Sequence, residues 1–181
     1  MGASYGNVIV IGSSQEAVAN ACSRPAFIGS QDGFVLLFCE GDDHLDDPTL
    51  GSLSEKLGCV TLNASVQDSD MLAFQLYARG ELMTEGVVPD PAMIYGDEFG
   101  EEFGEPAPVA DPGVLVSILG SGSVEAVEEA LSSDEYFMAE DRHRALLLAL
   151  GLPSAPAMVG YRYLDWEEET GYDGPPLTRL V

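Results

Sequence analysis

The chain has 181 residues, 46% of them hydrophobic, enough for one substantial domain with its own core. Thirty-one Asp and Glu against seven Lys and Arg leave a formal charge of −24. Such a surface repels phosphate backbones and anionic lipids, which disfavours nucleic-acid and membrane binding, and it attracts cations and basic proteins less strongly as salt is added.

The first element is a β-branched run, Asn7 to Gly12, followed by a helix start. Ser13 with Glu16 three residues on has the spacing of a capping box, and Ser23-Arg24-Pro25 stops the helix. Ala26 to Gly29 and Phe34 to Glu40 read as a hairpin around Ser30-Gln31-Asp32-Gly33. Its second arm is apolar on both faces, as a strand inside a sheet must be. An acidic loop, Glu40 to Asp47, leads through Pro48 to a short helix, Leu50 to Leu57, closed by Gly58.

Three strands follow. Cys59 to Val66 sets Val60, Leu62, Ala64 and Val66 on one face, and Met71 to Ala78 sets Leu72, Phe74 and Leu76 against Gln75 and Tyr77. Arg79-Gly80 turns the chain into Glu81 to Val88, completing an antiparallel meander. Residues 89–110 are an acidic loop rich in Gly and Pro. Asp111 then caps a helix with Pro112 at its first position and Gly120 after its end, and Ser123 caps a second from Val124 to Leu131. Glu140 to Leu150 is the longest helix, with Leu146, Leu147 and Leu150 on its apolar side and Glu140 paired to Arg144 on an exposed one. Alternating Val159, Tyr161 and Tyr163 predict a last strand, Met158 to Trp166, joined to the sheet. The tail, 167–181, is expected to be only partly ordered. The sum is a single α+β domain over 1–181, an antiparallel or mixed sheet with helices packed mainly on one face.

The N-terminus lacks the basic and long apolar regions of a signal peptide, and no segment has the length of a membrane span. Cys22, Cys39 and Cys59 have no CxxC spacing and sit among apolar or small neighbours, as small buried hydrophobes do. A reducing cytoplasm is the compartment this predicts. No cofactor is expected. Val8 to Gly12 opens like a nucleotide-binding unit but has one of the three glycines the fingerprint needs. Gly120-Ser121-Gly122-Ser123 has no lysine to support a phosphate. The five carboxylates and one imidazole of Glu40 to Asp47 lack calcium-loop spacing. His44 and His143 have no Cys or second His at zinc-ligand spacing, and no GxSxG elbow is present. Neither a metal site nor a local catalytic motif is therefore expected.

The segment that stands out is Tyr95 to Pro106, three four-residue units of aromatic, Gly, acid, then acid or Pro. Tyr95, Asp97, Glu98, Phe99, Glu101, Glu102 and Phe103 form the candidate partner-binding set, with aromatic anchors and carboxylates suited to a basic, partly apolar surface. Asp141 to Leu146, Ala149 to Pro153, Val159 to Leu164 and the turn Leu76 to Leu82 together resemble the corresponding parts of a group of uncharacterised bacterial proteins of similar length; the resemblance implies no activity, cofactor or site residue. The expected function is a non-enzymatic acidic module that binds a basic protein, in the style of an immunity protein or inhibitor. The alternative is a hydrolase whose site is assembled from dispersed residues.

Overall fold

The computed structural model describes residues 2–41, 48–95, 108–166 and 172–181. The chain order is β1 (Tyr5–Ile11), α1 (Gln15–Ala21), β2 (Ala26–Gln31), β3 (Phe34–Cys39), α2 (Pro48–Leu57), β4 (Val60–Gln67), β5 (Met71–Ala78), β6 (Glu81–Val88), α3 (Pro91–Tyr95), α4 (Pro112–Leu119), α5 (Val124–Ser132), α6 (Ala139–Ala149), α7 (Tyr161–Trp166) and β7 (Thr178–Leu180). The strands form one sheet in the order β6-β5-β4-β1-β3-β2-β7, with every neighbouring pair antiparallel. The fold is α+β.

Two-residue turns set the registers of the β2–β3 and β5–β6 hairpins. Asp32-Gly33 and Arg79-Gly80 each hold two successive positive φ angles, the conformation that matches the twist of flanking strands. β3 lies between β1 and β2 with a core on each face, Leu36 and Phe38 in one and Val35, Leu37 and Cys39 in the other, so Val35 to Cys39 are all buried. Most of the helices pack on one face. There Ile9, Leu36, Phe38, Leu62, Phe74 and Leu76 meet Leu115 of α4, Val127 of α5, and Leu146 and Leu147 of α6. On the opposite face α1 and α2 bring Val18 and Leu53 onto Val8, Val10, Val35 and Leu37. Next to that second core β4 carries Thr61, Asn63 and Ser65, all fully buried and without hydrogen-bond partners for their side-chain atoms.

The caps at Asp111, Gly120 and Ser123 stand where the sequence puts them. The first helix is shifted by one, since Ser14 rather than Ser13 accepts the Ala17 amide. The larger correction concerns Met158 to Trp166, which is not a strand. Met158 has φ +75°, the Val159 amide bonds the Pro156 carbonyl, and α7 begins at Tyr161. Val159, Tyr161 and Tyr163 alternate as in a strand while Tyr161 and Leu164 have helical spacing, and tertiary contacts decide between them. Asn7, buried in β1, donates from Nδ2 to the carbonyls of Pro156 (2.8 Å) and Val159 (3.1 Å), fixing the coil over the sheet. A Cβ at Gly160 would sit 2.7 Å from that of Tyr5, so only glycine lets the chain pass so close.

The edge position expected for that strand is taken by the tail, whose residues 172–181 are placed. Thr178 to Leu180 pair with β2, Arg179 bridges Asp165 at 2.6 Å, and Tyr172 meets Phe38 edge-on. Gly29 of β2 leaves room for Leu177, which a Cβ there would approach to 2.8 Å.

Candidate functional site

Tyr95 is the last residue of α3, and Asp97, Glu98, Phe99, Glu101, Glu102 and Phe103 lie outside the described residues. The structure does, however, place a second group of the same chemistry, at the corner between α5 and α6. Its centre is Phe137, 93% exposed, beside the part-exposed Met138. Glu128 and Glu129 on α5, Asp134 and Glu135 in the corner, and Asp141 on α6 are all exposed, with Arg144 the one exposed cation in that stretch.

Arg142 shapes this corner from beneath. The sequence reading put residues 140–144 on an exposed helix face, but Glu140 and Arg142 are each only 6% exposed and His143 is fully buried. The reason is the helical period. Continued back from Leu146, Leu147 and Leu150, the inward stripe of α6 falls on positions 139, 142 and 143. From there the Arg142 guanidinium donates to the carbonyls of Ala130 (3.0 Å), Leu131 (2.8 Å) and Ser133 (2.8 Å). These are acceptors that the end of α5 leaves unsatisfied. Arg142 Cζ also lies 5.5 Å from the centre of the Tyr136 ring, a cation–π contact. One buried cation thus caps α5 and tethers Tyr136, and the next residue, Phe137, is turned outward on a held backbone.

His143 belongs to a different, sealed group. Its Nδ1 lies 3.0 Å from the Tyr5 hydroxyl, with the rings stacked 5.8 Å apart. The Met158 amide faces the same phenol oxygen, and His143 Nε2 has no partner among the described residues. Burial depresses the His143 pKa to about 4 and raises that of Tyr5 well above its usual range. Nearby, the Ser69 hydroxyl accepts from the Ala3 amide at 2.7 Å and donates to Glu140 Oε1 at 2.5 Å, docking the start of α6 on the β4–β5 turn. A neutral imidazole buried this completely orients a core and does not meet a substrate. His44 lies outside the described residues. Among the described residues no three His, Cys, Asp or Glu side chains gather as metal ligands, and no helix is long and apolar enough to cross a membrane.

No family model, curated protein or solved structure matches the chain.

Proposed function

We propose that the protein is a non-enzymatic interaction module whose acidic corner, centred on Phe137, docks on a basic protein bearing an apolar pocket, in the manner of an inhibitor or immunity protein. The observation that carries this reading is the exposed Phe137, which follows the Arg142-tethered Tyr136 in a stretch whose exposed charges are mostly carboxylates. Backbone that is already held loses little entropy on binding, which makes a side chain presented from it an efficient anchor. The carboxylates speed encounter with a basic surface, and the ring supplies the lifetime of the complex. The Tyr95 to Phe103 set joins the proposal on its composition, as a second acidic segment with aromatic anchors. His143, sealed in the core, gives the hydrolase alternative no support.

The test is capture of basic proteins from the host lysate at low salt, followed by affinity measurement on the purified partner. Phe137→Ala should weaken binding at least tenfold, the loss typical of an interface hot spot. Neutralising Glu128, Glu129, Asp134 and Glu135 together should slow association and flatten its salt dependence. Replacing 95–106 with a Gly/Ser linker should lower capture while leaving the melting temperature unchanged. A partner whose affinity ignores both Phe137 and salt would refute the reading.

A further inference from the structure

Cys22 and Cys39, separated by 17 positions in sequence, stand with their sulfurs 4.0 Å apart on the wall of a cleft of about 230 Å³. The cleft runs between α1 and α2 on the second face of the sheet, and Leu37, Leu53, Arg24 and Lys56 also line it. Two of the chain's seven basic side chains therefore border one small cavity in a protein of charge −24. The two thiols differ in setting. Cys39 is buried in β3, locked in register opposite Ala26 of β2. Cys22 lies just past the end of α1, in extended backbone, and is only half buried.

We propose that this pair is a thiol–disulfide exchange site, with Cys22 the nucleophile and Cys39 the resolving thiol, and that the cleft takes small anionic disulfides. The Cys22 thiolate attacks one sulfur of an external disulfide RSSR, forming Cys22–S–SR and releasing RS⁻. Cys39 then gives its proton to solvent and attacks Cys22 Sγ, which forms the Cys22–Cys39 disulfide and releases the second RS⁻. The protein dithiol is oxidised and the external disulfide is reduced to two thiols. Closing 4.0 Å to the roughly 2 Å of a disulfide falls to Cys22, whose connector is outside the sheet.

The surroundings favour this division of labour. The hydrogen bond to Cys39, with a backbone hydrogen bond at Arg24 and then the Arg24 charge, brings the Cys22 pKa to about 6 against an opposing desolvation. Among the described residues, the charged groups bordering the pair are Arg24 from the connector and Lys56 from α2. The Arg24 guanidinium is itself anchored on the Glu40 carbonyl at 3.1 Å. The Cys22 thiol also reaches the Arg24 carbonyl at 3.4 Å.

The probes are dithionitrobenzoate, a dianionic disulfide, and cystamine, a dicationic one, used on the folded full chain. With dithionitrobenzoate the native protein should release two equivalents of thionitrobenzoate without retaining a label, and peptide mapping should show the Cys22–Cys39 bond. Cys39→Ser should release one equivalent and keep the label on Cys22, and Cys22→Ser should suppress the fast phase. Circular dichroism melts of both variants check that they remain folded, and Cys39→Ala replaces Cys39→Ser if it does not. The rate should level off by about pH 7, where an ordinary thiol is still a few per cent ionised. Arg24→Gln with Lys56→Gln should lower the ratio of the dithionitrobenzoate to the cystamine rate several-fold, a ratio in which thiolate content cancels. A label retained by the native protein, or a rate still climbing beyond pH 8.5, would overturn the exchange site. An unchanged ratio in the double variant would overturn the anionic preference.

Discussion

His143 makes the acid limb of the stability curve calculable. Its pKa falls from 6.5 to about 4 on folding, because the buried ring resists charging. Between those values the unfolded chain binds a proton that the folded chain refuses, so stability is lost as pH falls. The full shift corresponds to about 3 kcal/mol, of which about 2 is lost by pH 5. Against a total of about 5–15 kcal/mol for a domain, that is a large fraction. The carboxylates act in the opposite sense. With 31 Asp and Glu, protonation below pH 5 relieves repulsion and masks the histidine in a simple pH titration. Comparison with His143→Gln separates the two effects. Glutamine keeps an amide for the Tyr5 hydroxyl, carries no titrating proton, and leaves the carboxylates as they are. Any packing cost it brings is constant with pH and cancels from the slope. Urea unfolding at pH 7, 6 and 5 should show the native protein losing about 1 M in midpoint relative to the variant over this range, for an m-value near 2 kcal/mol/M. Parallel curves would refute the reasoning, since they would mean that the imidazole is solvated and free to charge.

Three further outcomes follow from named contacts. Thr61→Val removes a buried hydroxyl that has no partner, and thermal or urea unfolding should find it neutral or stabilising by about 1 kcal/mol, the reverse of an ordinary core substitution. Ser69→Ala takes from the buried Glu140 its hydroxyl donor and from the Ala3 amide its acceptor, and should cost about 1–3 kcal/mol by the same measurement. The melting temperature near neutral pH should rise from low to moderate NaCl, because 16 acids and no basic residue lie between Arg79 and Arg142 and screening shortens their repulsion to about 8 Å; a fall with chloride as the only anion would contradict it.

The parts of the fold legible in the sequence are those fixed by neighbours along the chain. Alternation in Leu72, Phe74 and Leu76, the Arg79-Gly80 turn, and the Asp111 and Ser123 caps each depend on a window of a few residues, and each appears as read. The misread parts depend on distant partners. Met158 to Trp166 has strand alternation, but Asn7, about 150 positions away, claims its carbonyls, and Gly160 must lie against Tyr5. Thr61, Asn63 and Ser65 alternate with the apolar face of β4, and they are buried between the β1 and β5 neighbours on the second side of the sheet, which no local pattern signals. The burial of Arg142 and His143 was within reach, because the leucine stripe of α6 extends back onto them; their charge argued for exposure and hid the period. Cys22 and Cys39 gave no motif, since their approach is made by the β2–β3 register and the end of α1.

The few cations show how an acidic chain of this kind holds together. Scattered over the surface, seven positive side chains could not offset 31 negative ones. Instead several are committed to single structural tasks. Arg142 turns inward and satisfies three carbonyls at the end of α5. Arg179 ties the returning tail to Asp165 and lies over Phe27, so the edge strand β7 is held by charge as well as by its short ladder. Arg24 and Lys56 border the thiol cleft. Replacing Arg142 with methionine would leave those three carbonyls without their donor and release Tyr136, so the loss should be larger than that of any exposed charge. Positive charge here is spent on geometry, which leaves the outer faces acidic; the individual worth of a surface ion pair is small.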